Sequence, residues 1–74
     1  MEKLLEILDE IRPDVDFENE KSLIDDGILD SFDVVSIISD LMDEYDVEIK
    51  VHELGPENFN SAEAMMRMIK RLQQ

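Results

Sequence analysis

The sequence predicts an all-α fold: a small up-down helical bundle of three main helices plus one short helix, with a long first loop. Three observations carry that expectation. Apolar residues recur at helical spacing in three separate stretches, near residues 2–12, 31–45 and 61–72. The one alternating stretch, Asp46 to Val51, has no second strand candidate to pair with. Pro13 and the Gly55-Pro56 pair fall between the periodic stretches, where helices must stop.

The first helix is expected over 2–12, with Leu4, Leu5, Leu8 and Ile11 on one side and Glu6, Asp9 and Glu10 on the other. Pro13 ends it. Residues 13–30 form a connection long enough to imply a function or a fixed path across the core. Its apolar residues, Val15, Phe17, Leu23, Ile24, Ile28 and Leu29, suggest a loop pinned across that core. Ser22 and Asp25 have the spacing of a capping box around a single helical turn, and Asp26-Gly27 is a turn signal.

The second helix, about 31–45, is the best defined. At 100° per residue, Val34, Val35, Ile37, Ile38, Leu41, Met42 and Tyr45 fall within an arc of roughly 160°. Asp33, Ser36, Ser39, Asp40, Asp43 and Glu44 fill the opposite arc. Phe32 breaks the pattern by landing on the polar side. Either it stands in solvent for a functional reason, or the first turn bends and tucks it beneath the loop. Asp46 to Val51 reads as an extended connector anchored by Val47 and Ile49, followed by a short helical turn at 51–54 that Gly55-Pro56 breaks. Phe59 is a further core anchor. The last helix is expected over about 61–72, with Met65, Met68, Ile69 and Leu72 as its apolar stripe. Asn60 or Ser61 is its N-cap, and Asn60 with Glu63 has capping-box spacing. Arg67, Lys70 and Arg71 complement the dipole at its C-terminal end.

Seventy-four residues make one small domain, 1–74, with a thin stability margin. There is no cysteine, so no disulfide framework and no thiolate metal site. Neither a signal peptide nor a run long enough to span a bilayer is visible, and a cytoplasmic monomer is expected. The charge is more informative. Twenty acids against seven bases give a net charge of −13. That argues against nucleic acid, which needs a basic face, and against stable insertion into anionic membranes. Between Lys21 and Lys50 lie nine acids and no base. The acidic interval surrounds Ser31 and is suited to basic partners.

Ser31 is the residue best placed for chemistry. Asp30 is a good N-cap, which makes Ser31 the first helical residue, beside unpaired backbone N–H groups at the positive end of the dipole. An anion attached there would be stabilised. Position alone would equally suit a serine that merely starts a helix. Catalysis by Ser31 itself is not expected: the only histidine is His52, and no glycine-rich elbow surrounds the serine. Asp25, Asp26, Asp30 and Asp33 do not have the spacing of a calcium loop.

Gly27-Ile28-Leu29-Asp30-Ser31-Phe32, followed by Asp33-Val34-Val35 and by Leu41-Met42-Asp43-Glu44-Tyr45-Asp46-Val47-Glu48-Ile49, resembles the acyl carrier protein family. The likeness covers nearly the whole chain. The resemblance implies that Ser31 receives 4′-phosphopantetheine from a phosphopantetheinyl transferase, with Asp30 helping to position that enzyme's metal and phosphates. The arm would carry acyl or aminoacyl groups as thioesters. Partner enzymes with basic patches would load and unload it, docking on Phe32, Asp33, Val35, Asp40, Asp43 and Glu44. Two positions depart from the fatty-acid carriers: Ser36 and Ser39 stand where those have an acid and a methionine. The loop Gly-Ile-Leu-Asp-Ser more closely resembles that of D-alanyl carrier proteins and other specialised carriers. The expected function is an acyl carrier in fatty-acid or related biosynthesis, with two alternatives: a D-alanyl or other aminoacyl carrier, and an unmodified acidic interaction module.

Overall fold

The computed structural model describes all 74 residues and contains helices and loops without a strand. In chain order these are α1 (Glu2–Ile11), α2 (Ser31–Tyr45), a 3₁₀ turn (Val51–Glu53), α3 (Pro56–Phe59) and α4 (Ala62–Leu72). The architecture is the expected small helical bundle. α1 packs on α2 and on α4, while α3 packs on α4. The radius of gyration is 11.0 Å, and a compact chain of this length should have roughly 11 Å. The long loop is therefore folded onto the bundle.

Each helix contributes a stripe to one hydrophobic cluster. Leu4 and Leu8 come from α1, Ile37 and Leu41 from α2, and Met65, Met68 and Ile69 from α4. Phe59 seals the cluster from α3. Phe17, Leu23 and Leu29 drop into it from the long loop, with Val15, Ile24 and Ile28 packed beside them. The loop's apolar residues thus anchor it across the core.

α1 stops one residue earlier than expected. Arg12 has already left the helix at φ −136°, because Pro13 disfavours helical geometry in the residue before it. Gly27 takes φ +69°, as its turn requires. Asp46, which caps the end of α2, also lies in the left-handed region at φ 52°, where aspartate is tolerated better than most residues.

The short fourth helix comes in two pieces. Gly55-Pro56 separates the 3₁₀ turn from α3, and Pro56 opens α3 at its first position. Proline suits that place because the N–H it lacks would have no helical partner there. Ser61 caps α4 by accepting the Ala64 N–H at 3.0 Å. Asn60 serves the loop instead. Its Oδ1 accepts from the Ile24 and Asp25 N–H groups at 2.9 and 3.1 Å. Its backbone carbonyl accepts from Leu23 at 2.9 Å. Asn60, rather than the Ser22 side chain, therefore satisfies the first three donors of the turn at 23–27, while the Ser22 carbonyl accepts the Asp26 N–H at 2.8 Å.

Glu53 is the one charged side chain in the interior. Arg71 donates to its two carboxylate oxygens at 2.7 and 3.0 Å, and Asn58 adds a third bond at 3.0 Å. The pair ties the 3₁₀ turn to the last turn of α4, and Arg71 holds the Glu53 carboxyl below its ordinary value of 4.5. A lowered folded value means that the pair's stabilisation is complete above pH 4.5 and is lost as pH falls toward the folded value. The melting-temperature gap between wild type and Glu53→Gln should therefore be widest near pH 7 and narrow below about pH 4.5. A gap that stays constant across a pH series would remove the charge from this account.

Candidate functional site

The Asp-Ser-Phe segment lies where the long loop enters α2, and a reciprocal capping box fixes its backbone. Asp30 Oδ1 accepts the Asp33 N–H at 2.8 Å, and Asp33 Oδ2 accepts the Asp30 N–H at 3.2 Å. Two of the first-turn donors are met in this way. Asp30 is the expected N-cap. The return bond from Asp33 was not foreseen.

Ser31 sits inside the box as the first residue of α2. Its hydroxyl is exposed and has no protein hydrogen-bond partner. The backbone N–H groups of Ser31 and Phe32 likewise have no protein acceptor. The serine therefore presents an unengaged oxygen beside two free donors at the positive helix end.

Arg12 closes the segment from behind. Its Nε and Nη2 donate to the two oxygens of Asp14 at 3.0 and 2.9 Å. Its Nη1 donates to the Ile28 carbonyl at 3.1 Å and to Asp33 Oδ2 at 2.5 Å. These bonds hold the Asp14 carboxyl below its usual value and raise the guanidinium above its own. The sequence reading missed Arg12 altogether. Its partners lie 16 and 21 positions away, and no local spacing reveals such a contact.

The residues expected to dock partners fall into three groups. Phe32 and Val35 stand in solvent at 84% and 64% exposure, so the first turn of α2 does not tuck the phenylalanine away. Asp33 is engaged by Arg12 and Asp30, and its side chain keeps 15% exposure. Asp40, Asp43 and Glu44 are exposed farther along α2, facing Glu6 and Glu10 of α1 across a shallow acidic groove. Lys3 lies 3.7 Å from Glu44.

An apolar cleft of about 350 Å³ opens directly beside Ser31. Ile24, Leu29, Val34 and Val35 form one wall, and Leu54, Pro56 and Phe59 the other. Exposed Val51 and Leu54 extend the apolar surface beyond α2. Their exposure was not foreseen. His52 is also exposed, with Nε2 3.4 Å from Glu53 Oε2.

No family model matches the chain. Individual proteins do. The chain is 31% identical to the D-alanyl carrier protein of Streptococcus gordonii over 71 residues, which span 95% of this chain and 90% of that one. The D-alanyl carrier proteins of two Streptococcus thermophilus strains match with the same identity and coverage.

Proposed function

The chain belongs to the carrier protein family that includes these D-alanyl carriers, and we propose that it carries D-alanine as a thioester on a 4′-phosphopantetheine arm at Ser31. The observation that carries this reading is the position of Ser31 itself: exposed, unbonded and first in α2, within a chain that aligns with D-alanyl carriers over 95% of its length.

The residues present fit such an arm. A phosphodiester on Ser31 Oγ would meet the free N–H groups of Ser31 and Phe32, and an anion at a helix N-terminus is worth about 0.3–1 kcal/mol. Attachment joins Ser31 Oγ to the pantetheine-side phosphorus of coenzyme A and breaks the pyrophosphate P–O bond. The adenosine 3′,5′-bisphosphate leaves, and the serine proton passes to a base of the transferase. Asp30 keeps one carboxylate oxygen without a protein partner and can contact the transferase's metal with it. The arm supplies one thing the chain lacks, a terminal thiol. This chain holds and presents its cargo, and partner enzymes perform the chemistry. The proposed setting is the cytoplasm, with the protein acting as a monomer.

Partners dock on the face around the serine. Phe32 and Val35 supply apolar contact, with Asp40, Asp43 and Glu44 steering basic patches towards it. Asp33 contributes to this face chiefly by holding its backbone. Phe32→Ala should slow cargo transfer while shifting stability by less than about 0.5 kcal/mol, since the ring is exposed. A clear fall in melting temperature would place the ring among the residues that hold the fold.

A short acyl chain is the second reading, favoured by the apolar cleft beside Ser31. The two cargoes separate in one experiment. The holo protein is offered D-alanine with its adenylating enzyme, and in parallel a short acyl group with an acyl-carrier synthetase. Loading with D-alanine alone supports the main reading, and acyl loading alone overturns it. A chain that takes no arm under conditions that modify a control carrier would instead be an unmodified interaction module.

A further inference from the structure

We propose that Arg12 is a positioning residue for the modification of Ser31, setting the N-cap geometry of α2 through Asp33. The inference rests on the carrier reading and concerns a residue outside the Asp-Ser-Phe motif.

The geometry is that of a fork held from one side and applied on the other. Asp14 takes Nε and Nη2 in a bidentate pair, which fixes the plane of the guanidinium. Nη1 is then aimed inward, with one hydrogen on the Ile28 carbonyl and one on Asp33 Oδ2. The first bond holds the loop two residues before the N-cap. The second holds the oxygen that accepts the Asp30 N–H. Ser31 lies between the two aspartates of the box, so the direction in which its Cβ leaves the backbone follows from a box that Arg12 keeps shut. Without Arg12, Asp33 becomes one more carboxylate in an interval that holds nine acids and no base. Repulsion from Asp30 then favours a rotamer turned to solvent, and the box opens. Lysine cannot replace the fork, because a single ammonium lacks the planar set of donors that reaches Asp14, Ile28 and Asp33 together.

Charge and position predict opposite effects, which makes the role testable. Loss of Arg12 removes one positive charge and takes the chain from −13 to −14. A basic transferase should be attracted at least as well, so KM for the carrier should not rise. A misdirected serine instead lowers kcat at saturating carrier.

The experiment measures transfer of phosphopantetheine from coenzyme A to wild type, Arg12→Ala, Arg12→Lys and Asp33→Asn. Amide hydrogen exchange is followed at Asp30 and Asp33, with Leu41 in the middle of α2 as the reference for global opening. Arg12→Ala should lose about tenfold in kcat with KM unchanged or lower. Its Asp30 and Asp33 amides should lose protection by more than Leu41 does. Arg12→Lys restores the charge without the fork and should remain about threefold low in kcat. If Arg12→Ala fails to fold, Arg12→Lys and Asp33→Asn decide the matter by the same criteria. Wild-type kcat in a folded Arg12 variant, or loss of protection equal at all three amides, overturns the proposal while leaving the carrier reading intact. A wild type that takes no arm beside a modified control overturns the carrier reading and, with it, the role in modification.

Discussion

Ser31→Ala will abolish attachment of the pantetheine arm while leaving the fold as stable as the wild type. After incubation with coenzyme A and a promiscuous transferase, the variant should keep the mass of the unmodified chain. The wild type should gain one phosphopantetheine. The loss is total because the reaction needs an oxygen nucleophile at that position, and alanine removes it. Stability should change by less than about 0.5 kcal/mol, because the hydroxyl is exposed and bonded to nothing in the chain. The other four serines are poor substitutes. Ser61 is buried and occupied as the cap of α4, and Ser22 is half-buried in the loop. Ser36 and Ser39 are exposed but lie within α2, where their N–H groups are already bonded along the helix. A mass gain in the variant would mean that another serine is the acceptor, and that the free donors of the first turn are irrelevant.

Phe59→Ala is the second large effect, and it falls on stability. Phe59 is 1% exposed and lies between the core and the apolar cleft beside Ser31. Truncating a buried phenylalanine to alanine costs about 3–5 kcal/mol. A chain of this length has roughly 4–11 kcal/mol in total, so the variant loses a large share of its margin. Its melting temperature should fall by about 12 °C or more. Phe59→Leu retains most of the apolar volume and should lose much less. A shift of only a few degrees in Phe59→Ala would show that the cleft wall collapses readily around the missing ring.

The elements that a local pattern can encode were legible in the sequence. The stripe of α2 and the cap at Asp30 follow from spacing of three and four residues. The sequence leaves Phe32 between two placements, because 100° steps put it on the polar side while a bent first turn would bury it. Its 84% exposure decides for the regular helix. Competing local signals were harder to rank. Asn60 has capping spacing to Glu63, yet it bonds Ile24 and Asp25 while the neighbouring Ser61 caps α4. Gly55-Pro56 reads as a stop and is also a start, because proline ends what precedes it and suits a first turn. Long-range pairs left no trace. Arg71 lies 18 positions from Glu53 and Arg12 lies 21 from Asp33. In each case an arginine gives a carboxylate a fixed place, and only the folded chain brings the two together.

Asn60 has a consequence for the order in which this protein is made. Three donors of the loop before Ser31, on Leu23, Ile24 and Asp25, find their acceptors on this one residue. A nascent chain that has not yet emerged as far as Asn60 cannot complete that loop, because the acceptors for these three donors are still missing. Closing the intervening span is slow relative to forming α1 or α2 alone. The serine is thus synthesised early and framed late, and the finished fold, rather than the motif, is what a modifying enzyme meets.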